Sequence, residues 1–91
     1  MPAKNTLDVL IETIADVMYG LDESAISSSS TLAKLNAGSM ERADILIEVS
    51  EKIGLTITAV KLREVAGLSL NDIAETFDQW RSAAGVFNNH A

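Results

Sequence analysis

The sequence predicts an all-α fold: a four-helix bundle of three main helices and one short helix, with a long first loop. Apolar residues recur at spacings of three and four along separate stretches, which is the periodicity of helices with one buried face. The β-prone run at residues 55–57 has no candidate partner strand and is expected to be extended loop. At 91 residues we expect one domain, residues 1–91, with its core over about 5–84 and a flexible tail over 85–91.

The first helix is expected over residues 6–19. Asn5 or Thr6 would be its N-cap, and Gly20 would end it. Its buried face is expected to consist of apolar residues at helical spacing: Leu7, Leu10, Ile11, Ile14, Val17 and Met18.

A long loop, residues 21–38, follows the first helix and contains four consecutive serines at 27–30. Serine side chains compete for backbone hydrogen bonds and bury little apolar surface, so the serine run is expected to be exposed. Three apolar residues are expected to hold the loop against the helical core: Ile26, Leu32 and Leu35. A loop of this length commonly positions a functional group or is mobile.

The second helix, over residues 39–54, is predicted to have three faces when successive residues are placed about 100° apart. The residues expected in the core are Ile45, Leu46, Val49 and Ile53. A small apolar strip lies apart from them: Met40, Ala43 and Ile47. An acidic strip follows: Glu41, Asp44, Glu48 and Glu51. A helix that only fills a core needs the first face alone, so the two strips indicate a partner surface, unless the apolar strip meets another helix of the domain.

Ser39 lies at or beside the N-cap of this helix, after the small residues Ala37 and Gly38. A serine here can simply cap the helix, with its hydroxyl accepting a hydrogen bond from a free backbone amide. Gly38 would clear space beside the hydroxyl and permit a tight turn, and the positive end of the helix would favour an attached anion. Ser39 is therefore either a helix cap or an attachment point for a phosphodiester.

The rest of the chain is expected to form a short helix over 59–65, capped by Thr58, and a last helix. Ser69 or Asn71 would begin the last helix and Gly85 would end it. The short helix would present Val60, Leu62 and Val65. The buried face of the last helix would comprise Leu70, Ile73, Ala74, Phe77 and Trp80.

Composition narrows the class of protein. The net charge of −6 argues against nucleic acid or anionic membrane as partners and favours partners with basic patches. The chain has no cysteine, which excludes disulfides, thiolate catalysis and zinc–thiolate sites, so any thioester chemistry would need the thiol of a cofactor. There is no apolar run of about 18 residues and no signal-peptide core, so a cytoplasmic protein is expected. We also expect it to be a monomer.

No catalytic motif is evident in the sequence. The nucleophile elbow of hydrolases needs a glycine two residues after the serine, where this chain has Glu41, and the single histidine, His90, lies in the predicted tail. Acidic residues on an exposed helix are far more often a solvated face than a metal site. We therefore expect neither catalytic residues nor a metal site.

These features resemble those of the acyl carrier protein family, over residues 7–80. The most specific part heads the second helix: Leu35-x-x-Gly38-Ser39-Met40. A second motif opens the last helix: Leu70-x-x-Ile73-Ala74. The family usually has aspartate before the serine, and Gly38 in that place puts the choice of modifying transferase in question.

The resemblance implies that a phosphopantetheinyl transferase attaches 4′-phosphopantetheine from coenzyme A to Ser39, and that this arm holds acyl groups as thioesters. It also implies which residues contact partner enzymes: Met40, Glu41, Ala43, Asp44, Ile47 and Glu48. The expected partners are acyl-loading and acyl-processing enzymes with basic docking patches, such as a ketosynthase, an acyltransferase or a hydroxymethylglutaryl-synthase-like enzyme.

One further run resembles free-standing carriers of polyketide pathways, particularly the β-branching cassettes in which a carrier donates an acetyl group to a hydroxymethylglutaryl-synthase-like enzyme: Ser39-x-x-Arg42-Ala43-Asp44-Ile45. A fatty-acid, peptidyl or aminoacyl carrier is an alternative. An alternative of another class is a small helical protein-interaction domain without a prosthetic group, in which Ser39 is only a cap.

Overall fold

The computed structural model describes the backbone of residues 5–89 and the side chains of residues 5–83. The elements are α1 Thr6–Val17, a 3₁₀ turn Glu23–Ala25, α2 Ser39–Lys52, α3 Ala59–Val65 and α4 Leu70–Asn89. Within the described range there is no β-strand, only a single bridge between Thr31 and Ser69. The predicted all-α class with three main helices and one short helix is confirmed.

Helix α1 begins where the sequence predicts, because Asn5 caps it. The Asn5 side-chain oxygen accepts the Asp8 backbone N–H at 2.8 Å. The helix ends at Val17, two residues before the predicted end at 19. Gly20 then turns the chain with a φ of 85°, a left-handed conformation that suits a residue without Cβ.

The core forms where the predicted faces of the long helices meet. Helix α1 packs against both α2 and α4 and is therefore central to the bundle. The fully buried apolar side chains of the three long helices are Leu10, Ile14, Ile45, Leu46, Val49, Leu70, Ile73 and Phe77. Ile26 and Leu32 of the first loop are also buried, and Leu35 packs against the core, so the predicted anchoring of that loop is confirmed.

The serine run is exposed at 27–29, as predicted, but its backbone also caps α4. The carbonyl oxygens of Ser28 and Ser30 accept the N–H groups of Asn71 and Leu70, both at 2.9 Å. These amides belong to the first turn of α4, where no intrahelical acceptor is available. The Ser69 hydroxyl accepts a third amide of this end, from Asp72, at 3.2 Å, which confirms Ser69 as the N-cap.

Two polar links hold α1 to its neighbours. The buried Thr13 hydroxyl accepts a hydrogen bond from Lys52 Nζ of α2 at 3.0 Å, and the same ammonium pairs with Glu48 at 3.2 Å. The Thr6 hydroxyl donates to the Asp78 carboxylate of α4. Each link joins residues distant in sequence, so the links fix how the helices pack.

Helix α3 begins as predicted, with the Thr58 hydroxyl accepting the Lys61 N–H at 3.3 Å. Residues 55–57 before it form neither helix nor strand, in agreement with the predicted loop. The Lys61 ammonium lies 4.6 Å from the ring centroid of Trp80 on α4, a cation–π contact that links the two helices.

The prediction that Gly85 ends the last helix is wrong, because α4 continues to Asn89. A glycine inside a helix costs only about 1 kcal/mol relative to alanine, so it lowers helix propensity without forcing an end. Residues 90–91 of the predicted tail, including His90, lie outside the described residues. No described helix, α4 included, is both long enough and apolar enough to cross a membrane.

Candidate functional site

The segment that leads to α2 is held by buried side chains and a tight turn. Leu32 and Ala37 are both buried, and the Ala37 N–H donates to the Leu32 carbonyl at 3.0 Å. Between them, Asn36 has a φ of 66°, a left-handed conformation that asparagine adopts more readily than most residues. The chain therefore reaches Gly38 from a fixed turn.

Ser39 is the first residue of α2, and Gly38 occupies the N-cap position. The first helical hydrogen bond runs from the Arg42 N–H to the Gly38 carbonyl at 2.9 Å. Ser39 is exposed, and no described group forms a hydrogen bond with its hydroxyl. The prediction that Ser39 lies at or beside the N-cap is confirmed. The alternative that its hydroxyl caps the helix is wrong, because Gly38 is the N-cap and no side chain caps the helix there.

The peptide between Ala37 and Gly38 is held on both of its polar groups by side chains of α2. Its N–H donates to Glu41 Oε1 at 2.8 Å, and its carbonyl accepts from Arg42 Nε at 2.9 Å. A peptide plane held by two charged groups has little freedom to rotate. The backbone immediately before Ser39 is therefore fixed by the helix that it starts.

The roles predicted for Gly38, to clear space beside the Ser39 hydroxyl and to permit a tight turn, are not seen in the structure. Its φ of −74° and ψ of 174° are ordinary extended values that any residue adopts. A Cβ placed there would lie 3.5 Å from Glu41 Oε1, which is normal van der Waals contact. Neither the backbone nor the surroundings require glycine at this position.

Ser39 borders a cleft of about 450 Å³ between α2 and α3. The α2 side is lined by Ser39, Arg42, Ala43 and Leu46, and the α3 side by Ala59, Leu62, Arg63 and Ala66. Leu46 is 1% exposed and also belongs to the core, so it forms the base of the cleft. The volume lies within the range of about 300–1,000 Å³ that small-molecule sites occupy.

The α3 side of the cleft was not identified from the sequence, although a signal for it exists. Ala59, Leu62, Arg63 and Ala66 follow the spacing i, i+3, i+4 and i+7, which places residues on one helix face. From the sequence we predicted instead that the short helix presents Val60, Leu62 and Val65. In the structure Val60 is 65% exposed while Val65 is buried in the core, so these residues do not share one environment.

The predicted apolar strip of α2 is divided between the cleft and the surface. Met40 is 81% exposed and Ile47 is 41% exposed, whereas Ala43 is half-buried and lines the cleft. Asp44 is exposed and lies between Met40 and Ile47 at spacings of four and three. Met40, Asp44 and Ile47 therefore form an exposed ridge beside Ser39.

The predicted acidic strip is not uniformly free for a partner. The Glu41 carboxylate accepts the Gly38 N–H, and Glu48 pairs with Lys52 at 3.2 Å. Asp44 and Glu51 are exposed, and neither carboxylate forms a hydrogen bond or ion pair with another described residue. Of the three acidic residues predicted to contact partners, Asp44 is thus the one whose charge is not used inside the described structure.

The site supplies an accessible hydroxyl but no group that activates it. A nucleophilic serine needs a base within hydrogen-bond distance, and no described side chain accepts a hydrogen bond from Ser39. The described residues also contain no cluster of three or more side chains that could bind a metal ion. Among the described residues, the site is therefore an accessible hydroxyl at the start of α2 beside a cleft, without a base or a metal cluster. A scan against protein-family models and searches of curated proteins and of solved structures found no match to the chain.

Proposed function

We propose that this chain is an acyl carrier protein that receives a 4′-phosphopantetheine arm on Ser39 and holds acyl intermediates as thioesters. The observation that carries the proposal is the state of Ser39: its hydroxyl is exposed, is not used to cap α2, and borders the cleft between α2 and α3. The proposal also rests on the resemblance of the segment around Ser39 to carrier proteins.

The residues around Ser39 fit such an arm. The arm would supply the thiol that the chain lacks, since the sequence contains no cysteine. Ser39 would hold the arm through its oxygen, and the clamped peptide before it would fix the attachment point. Leu46 at the base of the cleft and Leu62 on its α3 side would be apolar contacts for part of a cargo.

Partner enzymes would contact the exposed ridge of Met40, Asp44 and Ile47. Its two apolar side chains supply contact area, and Asp44 would pair with a basic patch on a phosphopantetheinyl transferase or an acyl-processing enzyme. Exposed ion pairs contribute only about 0–1 kcal/mol each and are screened by salt, so docking should be weak and reversible. A carrier that visits several enzymes needs both properties.

The resemblance favours a polyketide-pathway carrier, with a hydroxymethylglutaryl-synthase-like enzyme, a ketosynthase or an acyltransferase as partner. Fatty-acid, peptidyl and aminoacyl carriers use the same arm and would meet the same first test. We propose no catalytic role for the chain itself, since none of the described side chains is a base within hydrogen-bond distance of Ser39.

The test is intact mass after incubation with coenzyme A, magnesium and a broad-specificity phosphopantetheinyl transferase. The expected result is a gain of one phosphopantetheinyl group by the wild type and by Ser29→Ala, which removes an exposed serine elsewhere, and no gain by Ser39→Ala. Because the Ser39 hydroxyl forms no hydrogen bond with described groups, Ser39→Ala should change the free energy of unfolding by less than about 0.5 kcal/mol.

A folded wild type that gains no mass with several different transferases would contradict the proposal. The small helical interaction domain would then be the better interpretation, with the exposed ridge as a permanent protein interface. In that case binding of its partner should be unchanged by Ser39→Ala and weakened by Met40→Ala.

A further inference from the structure

Two arginines line the Ser39 cleft in a chain with 13 acidic and 7 basic residues. Arg42 lies on the α2 side and Arg63 on the α3 side. Within the described residues neither guanidinium has a carboxylate at ion-pair distance, whereas Arg81 pairs with Asp78 at 3.9 Å. The cleft therefore has two positive charges that no described carboxylate neutralises.

Arg42 is oriented by a single hydrogen bond. Its Nε donates to the Ala37 carbonyl at 2.9 Å, and a guanidinium has five N–H donors, so the four on its terminal nitrogens stay available. Arg63 is exposed, and its side chain forms no hydrogen bond or ion pair with another described residue. Like charges that line one cleft repel each other, and an anion bound between them would offset this repulsion by attracting both.

We infer that Arg42 and Arg63 form an anion site that holds an oxyanion of the group attached to Ser39, a role that rests on the attachment proposed above. Guanidinium groups bind phosphate and carboxylate oxygens through paired N–H donors, which makes them suited to this task. Holding the anion would direct the arm into the cleft and away from the exposed ridge.

Two groups on such an arm carry an oxyanion. The phosphodiester adjoins Ser39 Oγ, and Arg42 lies three residues further along α2, which places both on one face of the helix. A cargo with a terminal carboxylate, such as a malonyl group, carries the same chemistry at the other end of the arm. Both would be positioned by Arg42 and Arg63 without any bond being made or broken by them.

The experiment follows the Nε–Hε signals of Arg42, Arg63 and Arg81 in ¹H–¹⁵N NMR spectra of the full chain during titration with inorganic phosphate. In the unmodified protein the signals of Arg42 and Arg63 should shift together while that of Arg81 does not. Arg63→Gln should weaken the phosphate affinity read at Arg42 by about twofold to fivefold. Arg81→Gln, which makes the same change in net charge, should leave that affinity unaltered.

The source of the anion is found by repeating the titration after attachment of the arm. If the phosphodiester is held, the Arg42 and Arg63 signals of the acetyl-loaded protein should already be shifted and should no longer respond to phosphate. If a cargo carboxylate is held, the Arg42 and Arg63 signals should be already shifted and unresponsive to phosphate only in the malonyl-loaded protein.

Arginine signals that respond no more than Arg81, in a protein whose Ser39 accepts the arm, would overturn this inference and leave the carrier function standing. Signals that respond to inorganic phosphate in the unmodified protein but stay equally responsive after attachment and loading would also overturn it. Failure of Ser39 to accept the arm is read separately, by mass, and would count against the carrier function itself.

Discussion

Replacing Glu41 with alanine should destabilise the start of α2 and the segment that presents Ser39. The Glu41 carboxylate accepts the Gly38 N–H at 2.8 Å from within the first turn of the helix. Loss of this hydrogen bond should cost about 1 kcal/mol. Loss of a negative charge at the helix N-terminus should cost a further amount of about 0.3–1 kcal/mol.

The summed loss of about 1.3–2 kcal/mol converts into a shift of the melting temperature. Unfolding entropy is about 2.1 cal/mol/K per residue, so a chain of 91 residues has about 190 cal/mol/K. The melting temperature of Glu41→Ala should therefore fall by about 7–10 °C. Circular dichroism at 222 nm during heating is a direct assay of this helical protein.

Two matched variants separate the hydrogen bond of Glu41 from its charge. Glu41→Gln keeps an oxygen that can accept the Gly38 N–H and should lose only about 0.3–1 kcal/mol. Asp44→Ala removes an exposed carboxylate of the same helix that has no partner among the described residues, and should melt within about 2 °C of wild type. Equal melting temperatures for Glu41→Ala and Asp44→Ala would refute the assignment of Glu41 as the residue that stabilises this helix start.

Three further substitutions test the core, α4 and the link between α1 and α2 by urea unfolding. Leu46→Ala should lower the free energy of unfolding by about 2–5 kcal/mol, because Leu46 is 1% exposed. Ile47→Ala, at an adjacent site that is 41% exposed, should lower it clearly less, and equal losses would contradict the assigned core. Gly85→Ala should stabilise the protein by up to about 1 kcal/mol because α4 passes through this residue, whereas a destabilised variant would indicate a helix end there. Thr13→Val should lose about 1–2 kcal/mol, because it removes both the hydrogen bond from Lys52 and the one that the Thr13 hydroxyl donates to the Val9 carbonyl. Thr13→Ser keeps the hydroxyl and should lose less; the reverse order would show that methyl packing dominates.

Features set by neighbouring residues could be predicted from the sequence. The caps Asn5, Thr58 and Ser69 each act on an amide three residues further along, so the sequence pattern alone predicts them. The buried face of α2 follows from helical periodicity, and Leu46 and Val49 are buried as expected. Gly85 was misjudged because a glycine weakens a helix but does not by itself end it.

Features set by tertiary contacts could not be predicted in this way. The carbonyl of Ser28 caps α4 at Asn71, and Lys52 reaches Thr13 on another helix, so both contacts depend on how the helices pack. The cleft beside Ser39 exists only because α3 lies against α2. Glu41 is an intermediate case, since its bond to the N–H three residues before it is local, but the absence of serine or threonine at 38 concealed the pattern.

The ordinary backbone at Gly38 has a consequence for how this protein could change. Because φ and ψ there suit any residue with a free N–H and a Cβ would meet only normal contact, folding imposes little selection on the residue before Ser39. The identity of residue 38 is then free to be selected by the transferase that we propose acts on Ser39. A library of substitutions at this single position would change recognition by that enzyme while the bundle stays intact.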